Sequence, residues 1–186
     1  MSQMLFSHDT ELTLRAACGL INSGVDGEEL GDAAALDAFL DGWGYTGRRD
    51  HDAAELESIH RLRERLGKIW DVAGDEVRAV DQVNALLRDT NAAPWLTRHP
   101  EQPEWHLHLA SVNDPLWQRM GAEFAMALAD LIRIGELRRL KTCAAPDCEA
   151  ALVDLSRNRS GKFCDTGNCG NRQHVAAYRE RRAHGR

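Results

Sequence analysis

Cys143-Ala-Ala-Pro-Asp-Cys148 and, fifteen residues further on, Cys164-Asp-Thr-Gly-Asn-Cys169-Gly-Asn-Arg172 hold four of the five cysteines in a chain of 186 residues. Each pair brackets a turn-forming tetrapeptide, so each brings two thiols to one place. The intervening residues 149–163 are long enough for a short hairpin, turning near residues 157–161, that returns the chain to the first pair. Two converging pairs supply the four corners of a tetrahedron, the geometry in which cysteine thiolates hold zinc. Free cysteines and an iron–sulfur cluster are the alternatives. A catalytic zinc keeps an open position beside three protein ligands, so the full set Cys143, Cys148, Cys164 and Cys169 points to one structural ion. Four thiolates around a dication leave a net charge of about −2, which calls for nearby cations and N–H donors. Lys141, Arg157, Arg159, Lys162 and Arg172 are at hand. Cys169 opens the final helix, whose N-terminal dipole favours a thiolate, and Gly170 leaves room for backbone close to the sulfur.

Charge divides the chain on either side of this segment. Residues 136–186 carry 11 basic and 6 acidic side chains, whereas residues 1–135 carry 12 and 23, within a total net charge of −6. A basic segment behind an acidic one is the pattern of a tail that meets a polyanion. Residues 1–21 have no basic leader, and Asp9, Glu11 and Arg15 interrupt their apolar residues, unlike a secretory signal. No apolar run approaches the ~20 residues that span a bilayer. The expectation is a cytoplasmic protein with no membrane contact, in a reducing compartment where clustered cysteines bind metal.

Upstream, the periodicity predicts helices. Ser7 or Asp9 caps the first, whose apolar side is Leu12, Ala16, Ala17, Leu20 and Ile21, and Asn22-Ser23-Gly24 stops it. Residues 32–41 form a short second helix that ends at Gly42-Trp43-Gly44, and residues 44–50 read as a loop. Leu56, Ile59, Leu62, Leu66 and Ile69 recur at three- and four-residue steps in a helix over residues 51–72. Val77, Val80, Val83 and Leu87 mark another beyond Gly74. Pro94, Pro100 and Pro103 forbid its continuation. Residues 95–98 and 104–110 read as a small hairpin, with His106 and His108 on the polar, exposed face and Trp105, Leu107 and Leu109 on the other. A last long helix follows Asp114-Pro115, with Leu116, Met120, Phe124, Leu128, Leu131 and Ile132 inward, and stops at Gly135. The fold class is therefore mainly α with a small β-hairpin, followed by a C-terminal four-cysteine zinc module of a short hairpin and a helix, treble-clef-like.

Cys169-Gly170-Asn171-Arg172, with the upstream Cys143-x4-Cys148, resembles the CGNR zinc-finger family. Asp154-Leu-Ser-Arg-Asn-Arg159, Tyr178-Arg-Glu-Arg-Arg182 and Leu20-Ile-Asn-Ser23 resemble it too. The pattern differs at Asp165, where the family has Ser, and at Gln173-His174-Val175, where it has more basic residues. The resemblance covers the whole chain. It implies a bacterial stress-induced transcription regulator, with a helical regulatory or sensor-like domain over residues 1–135 and a CGNR-type zinc finger over residues 136–186.

On the final helix Arg172 and Arg179 fall seven residues apart and so on one line, with Val175 and Tyr178 as an apolar edge for packing on the finger. Arg181, Arg182 and Arg186 extend the cationic strip, and Arg157, Arg159 and Lys162 add a loop. The expected nucleic-acid contacts are Arg157, Arg159, Lys162, Arg172, Arg179, Arg181 and Arg182, since phosphates are the natural partner of such a strip. Arg172 has a second possible role, fixing the zinc knuckle. The expected function is a DNA-binding transcriptional regulator whose N-terminal domain senses a small-molecule effector or mediates homodimerisation. The alternative is a zinc-stabilised protein-interaction module whose basic helix docks on an acidic surface. No nucleophile–base set, phosphate loop or open metal site stands out, so no enzyme is expected. Cys18 reads as a small buried hydrophobe, and the five tryptophans read as core or pocket lining.

Overall fold

The structure is a computed structural model that describes residues 8–99 and 102–184. Ser7, Pro100 and Arg186 lie outside the described residues. Helix α1 (His8–Asn22) is followed by α2 (Ala33–Gly42), α3 (Ala53–Asp71) and α4 (Glu76–Asp89). An aspartate caps each of the last three. Asp32, Asp52 and Asp75 accept from the backbone N–H of Ala35, Glu55 and Arg78, satisfying donors that a helix start leaves open. Glu55 reaches back to the N–H groups of Asp50 and His51 at 3.0 Å, a variant of the capping box. Strands β1 (Trp95–His99) and β2 (Gln102–His108) form an antiparallel hairpin with Trp95 opposite His108 and Thr97 opposite His106. Helix α5 (Leu116–Arg133) runs through the middle of the molecule and packs on α1, α3 and α4.

The main core runs through the helices, and a second, smaller cluster surrounds the four cysteines. Leu14, Leu20, Leu40, Ile59, Leu66, Leu86, Phe124 and Leu128 are fully buried, each worth about 1.5–3 kcal/mol of transfer free energy. Leu137, Leu140 and Ala151 belong to the main core, so apolar packing continues past Gly135 into the segment that carries the cysteines. That segment comprises a 3-10 turn (Leu137–Arg139), β3 (Leu140–Thr142), β4 (Ala151–Val153) and α6 (Cys169–His184).

Three expectations are corrected. In α1, Leu12 is 45 % exposed, whereas Leu14 is buried, because β4 and α5 cover that helix from different sides. In α4 the buried line is Ala79, Val83, Leu86 and Thr90, and Val77 is exposed. The phase is set by close approach to α5. A Cβ at Gly121 would lie 2.8 Å from the Thr90 methyl, so small residues bring the helix axes together there. In the hairpin the faces are reversed: Trp105 and Leu107 are exposed, while His106 and His108 are half-buried. The histidine face is turned toward a cavity against α1 and α5, and the opposite face carries Arg98 stacked 5.0 Å from the Trp105 ring.

Candidate metal centre and an adjoining cavity

The hairpin of the cysteine segment is placed differently from the expected one over residues 149–163. Lys141 pairs with Leu152 and Thr142 with Ala151, so the loop joining β3 and β4 is itself the first cysteine pair. Residues 154–163 form a fastened loop. Lys141 Nζ donates to Asp154 Oδ2 at 2.6 Å and to the carbonyls of Arg159 and Gly161 at 3.0 Å. Arg139 Nη1 donates to the carbonyls of Asp154 and Ser156 at 2.7 and 2.8 Å. These cations bind backbone oxygens that would otherwise have continued a ladder, which is why no strand extends beyond Val153. A Cβ at Gly161 would sit 2.8 Å from Asp154 Oδ1, so the loop closes only over glycine.

The loop delivers Cys164 beside the knuckle, and Cys169 starts α6. All four Sγ atoms, of Cys143, Cys148, Cys164 and Cys169, lie within 4.8 Å of one another. Cys148 to Cys164 and Cys164 to Cys169 are each 3.6 Å. A tetrahedron with Zn–S bonds of about 2.3 Å has edges of roughly 3.8 Å, so four sulfurs within 4.8 Å of one another close on zinc with small shifts. Burial pushes the Cys143 thiol up, but the N–H groups of Ala145 and Cys164 and the neighbouring thiols outweigh it and bring it to about 7. Burial pushes Cys164 up to about 12. One sulfur thus ionises readily while another keeps its proton until a cation replaces it, so loading the site releases protons.

Donors converge on the sulfurs as well. The backbone N–H of Cys164 points at Cys143 Sγ at 3.4 Å, and Arg172 Nη2 donates to Cys169 Sγ at 3.1 Å. The other Arg172 nitrogen, Nη1, donates to Asp147 Oδ2 at 3.2 Å, tying the helix to the first knuckle. The close glycine is Gly167, where a Cβ would come within 3.1 Å of Cys169 Sγ. Gly170 faces only the Phe163 ring, at 3.6 Å.

The seven expected phosphate-binding cations separate into two groups. Arg172 is engaged at the metal centre, and Arg159 donates to Glu136 Oε1 at 3.2 Å across the loop. Arg157, Lys162, Arg179, Arg181 and Arg182 are exposed, with Arg182 5.9 Å from the Tyr178 ring. Val175 and Tyr178 do not pack on the finger. They are 40 % and 54 % exposed, because α6 leaves the module after its first turn.

On the other side of α1 lies a cavity of about 560 Å³, bounded by α1, residues 43–46, β2 and α5. Glu123 reaches it from α5, open to the cavity water but with protein on most sides. Burial raises its carboxyl to about 7, against the pull of Arg119 and a hydrogen bond from the Tyr45 hydroxyl. Trp43, Trp105, His106 and His108 also line it. Trp95, 42 % exposed, is neither core nor cavity lining and stacks on His108 with ring centres 5.6 Å apart. The Trp43 ring rests on α1 at Gly19, where a Cβ would be 2.9 Å away. Sequence periodicity does not find this site, because its residues come from four segments and meet only through tertiary packing.

A knuckle of two cysteines in a hairpin loop, closed by two more at a helix start and mounted on a helical domain, defines a zinc-finger protein with one structural ion. The chain belongs to the ABATE family, described as "Putative stress-induced transcription regulator", whose model matches residues 14–135. The CGNR zinc finger matches residues 139–182. No curated protein matches the chain. Among the described residues no helix is long and apolar enough to cross a membrane.

Proposed function

We propose that this is a DNA-binding transcription regulator in which residues 136–186 contact phosphates and residues 1–135 sense a small molecule or carry a dimer contact. The observation that carries the proposal is α6, anchored at its first residue by the metal centre, with Arg179, Arg181 and Arg182 exposed beyond it. Arg179 and Arg181 stand two positions apart, ~160° around the helix, so their charges flank it on opposite sides. A helix of ~10–12 Å diameter enters a major groove ~12 Å wide, where such flanking cations meet the phosphates of both strands. Arg157 and Lys162 add exposed charge from the fastened loop. The family description names a regulator, which favours this function over catalysis.

Sensing is supported by the position of α1. One face of it lines the cavity through Asp9, Leu12, Thr13 and Ala16. Its C-terminal end holds the zinc module through Asn22, and Arg15 lies 4.0 Å from Asp165. Anything that shifts α1 at the cavity moves the mount of the finger.

The test is a pull-down of genomic DNA fragments at low and high salt with the intact protein and with an Arg179→Ala/Arg181→Ala/Arg182→Ala variant. Salt-sensitive binding by the intact protein that the variant loses supports DNA contact. Salt-insensitive binding, or none, overturns it and leaves the second role for α6, docking on an acidic protein surface. Arg179, Arg181 and Arg182 are exposed, so such a surface can reach them.

A further inference from the structure

We propose that the cavity between α1, β2 and α5 binds a small organic cation with a flat apolar body, an aromatic amine by chemical class. This rests on residues 1–135 being a sensing domain and adds the chemistry of what is sensed.

Size fits first. About 560 Å³ lies within the roughly 300–1,000 Å³ of sites that take drug-sized ligands. The walls supply the apolar part: the Trp43 indole, 37 % exposed, lines the cavity with Leu12 and Met126, so apolar surface stands open where a flat ring would cover it.

Charge selects the sign of the ligand. Asp9, Glu123 and Asp130 line the cavity, and Arg119 is the one guanidinium among the lining residues. Arg119 is committed elsewhere. Its Nε donates to the Asp114 carbonyl at 3.1 Å, Nη1 to that of Thr46 and Nη2 to that of Arg48, clamping the loop of residues 45–50 against α5. Each of its three nitrogens already donates to a backbone carbonyl, which fixes the guanidinium on the loop. His106 Nδ1 donates to the Glu104 carbonyl at 2.9 Å, and its Nε2 lies 3.2 Å from His108 Nε2. Among the lining residues, carboxylates beside the Trp43 indole form the surroundings that attract an ammonium group, through Coulomb attraction and through the negative face of the aromatic ring.

The experiment titrates the zinc-loaded full chain with three probes of one shape: naphthylmethylamine, a cation at neutral pH, naphthylmethanol and naphthoate. Calorimetry is expected to show the amine binding at least about tenfold more tightly than the other two, a difference of ~1.4 kcal/mol. Asp9→Asn, at an exposed position, and Glu123→Gln should each weaken the amine and leave the alcohol unchanged. Equal binding of the three, preference for naphthoate, or no binding of the amine at millimolar concentration overturns the proposal. Backbone hydrogen exchange at Ala151 and over residues 169–182 separates it from sensing. If the amine binds and exchange there is unchanged, sensing fails and the cation site stands. If naphthoate binds and changes exchange, sensing stands and the cation class falls.

Discussion

The side-chain amide of Asn22 pairs with both backbone groups of Ala151, donating from Nδ2 to its carbonyl at 2.9 Å and accepting its N–H on Oδ1 at 2.7 Å. Asn22 thereby acts as one residue of a third strand along the free edge of β4. Trp70 Nε1 adds a second tie by donating to the Leu152 carbonyl at 3.3 Å, and Cys18 packs against Val153, buried deeply enough to push its thiol up to about 12. The helical domain thus grips the zinc module by its strand edge, while the metal holds the same module from within.

Asn22→Ala should therefore destabilise the whole chain, because it strands a buried donor and a buried acceptor at once. At ~1–3 kcal/mol for each unsatisfied group, the expected loss is roughly 2–6 kcal/mol. Urea unfolding of the zinc-loaded protein measures it. A change below ~0.5 kcal/mol would mean that water replaces the amide and that the grip lies elsewhere.

Glu123 makes stability depend on pH in an uncommon direction. Its carboxyl is raised from 4.5 to about 7 by burial, so the folded chain keeps a proton that the unfolded chain gives up. Its contribution is greatest below about 4.5, declines as pH rises from there to about 7, and is level above. The groups that face it, Arg119 on α5, Tyr45 in the loop, Asp9 on α1 and the two histidines of β2, remain in a Glu123→Gln variant. Wild type minus variant should then show stability falling across that window, as read by denaturant midpoints. A flat difference would show that cavity water solvates the carboxylate fully.

Gly121→Ala tests the close approach of α4 and α5. The added methyl meets Thr90 Cγ2 at 2.8 Å and Leu62 and Leu86 beyond it, all packed on buried side chains with little room to yield. Overpacking of this kind costs about 1–3 kcal/mol, although alanine is the better helix former. A thermal midpoint equal to or above that of the wild type would mean that the helices part without cost.

The metal centre was legible in the sequence, and so were most of the helices, for one reason: both rest on local spacing. Two Cys-x4-Cys pairs converge whatever surrounds them, and Leu56 through Ile69 can only form one stripe. What escaped depended on which neighbour a residue finds. Val77 and Ala79 sit on the same helix, and only Gly121, forty residues away, decides that the alanine faces inward. His106 and Trp105 alternate correctly, but hydropathy puts the indole inside, whereas the cavity takes the imidazole. Asn22 reads as a helix stop and serves as a clamp, since its partner lies 129 residues downstream.

Arg172 and Arg179 share one line of α6, yet their surroundings assign them different work. Arg172 bridges Cys169 Sγ at 3.1 Å and Asp147 Oδ2 at 3.2 Å, so it offsets thiolate charge and holds the two knuckles together. Removing a group that supports a metal ligand typically costs roughly ten- to a hundredfold in metal affinity. Arg172→Ala should therefore lose zinc to a chromophoric chelator at concentrations the wild type withstands. Arg172→Lys should recover only part of the loss, because a point charge cannot span sulfur and carboxylate as the guanidinium fork does. Arg179→Ala/Arg181→Ala/Arg182→Ala should hold zinc as tightly as the wild type, since those side chains stand in solvent beyond the module. If Arg172→Ala instead keeps its zinc and only binds polyanions more weakly, Arg172 belongs with the exposed arginines, and its bond to Cys169 is incidental to the metal.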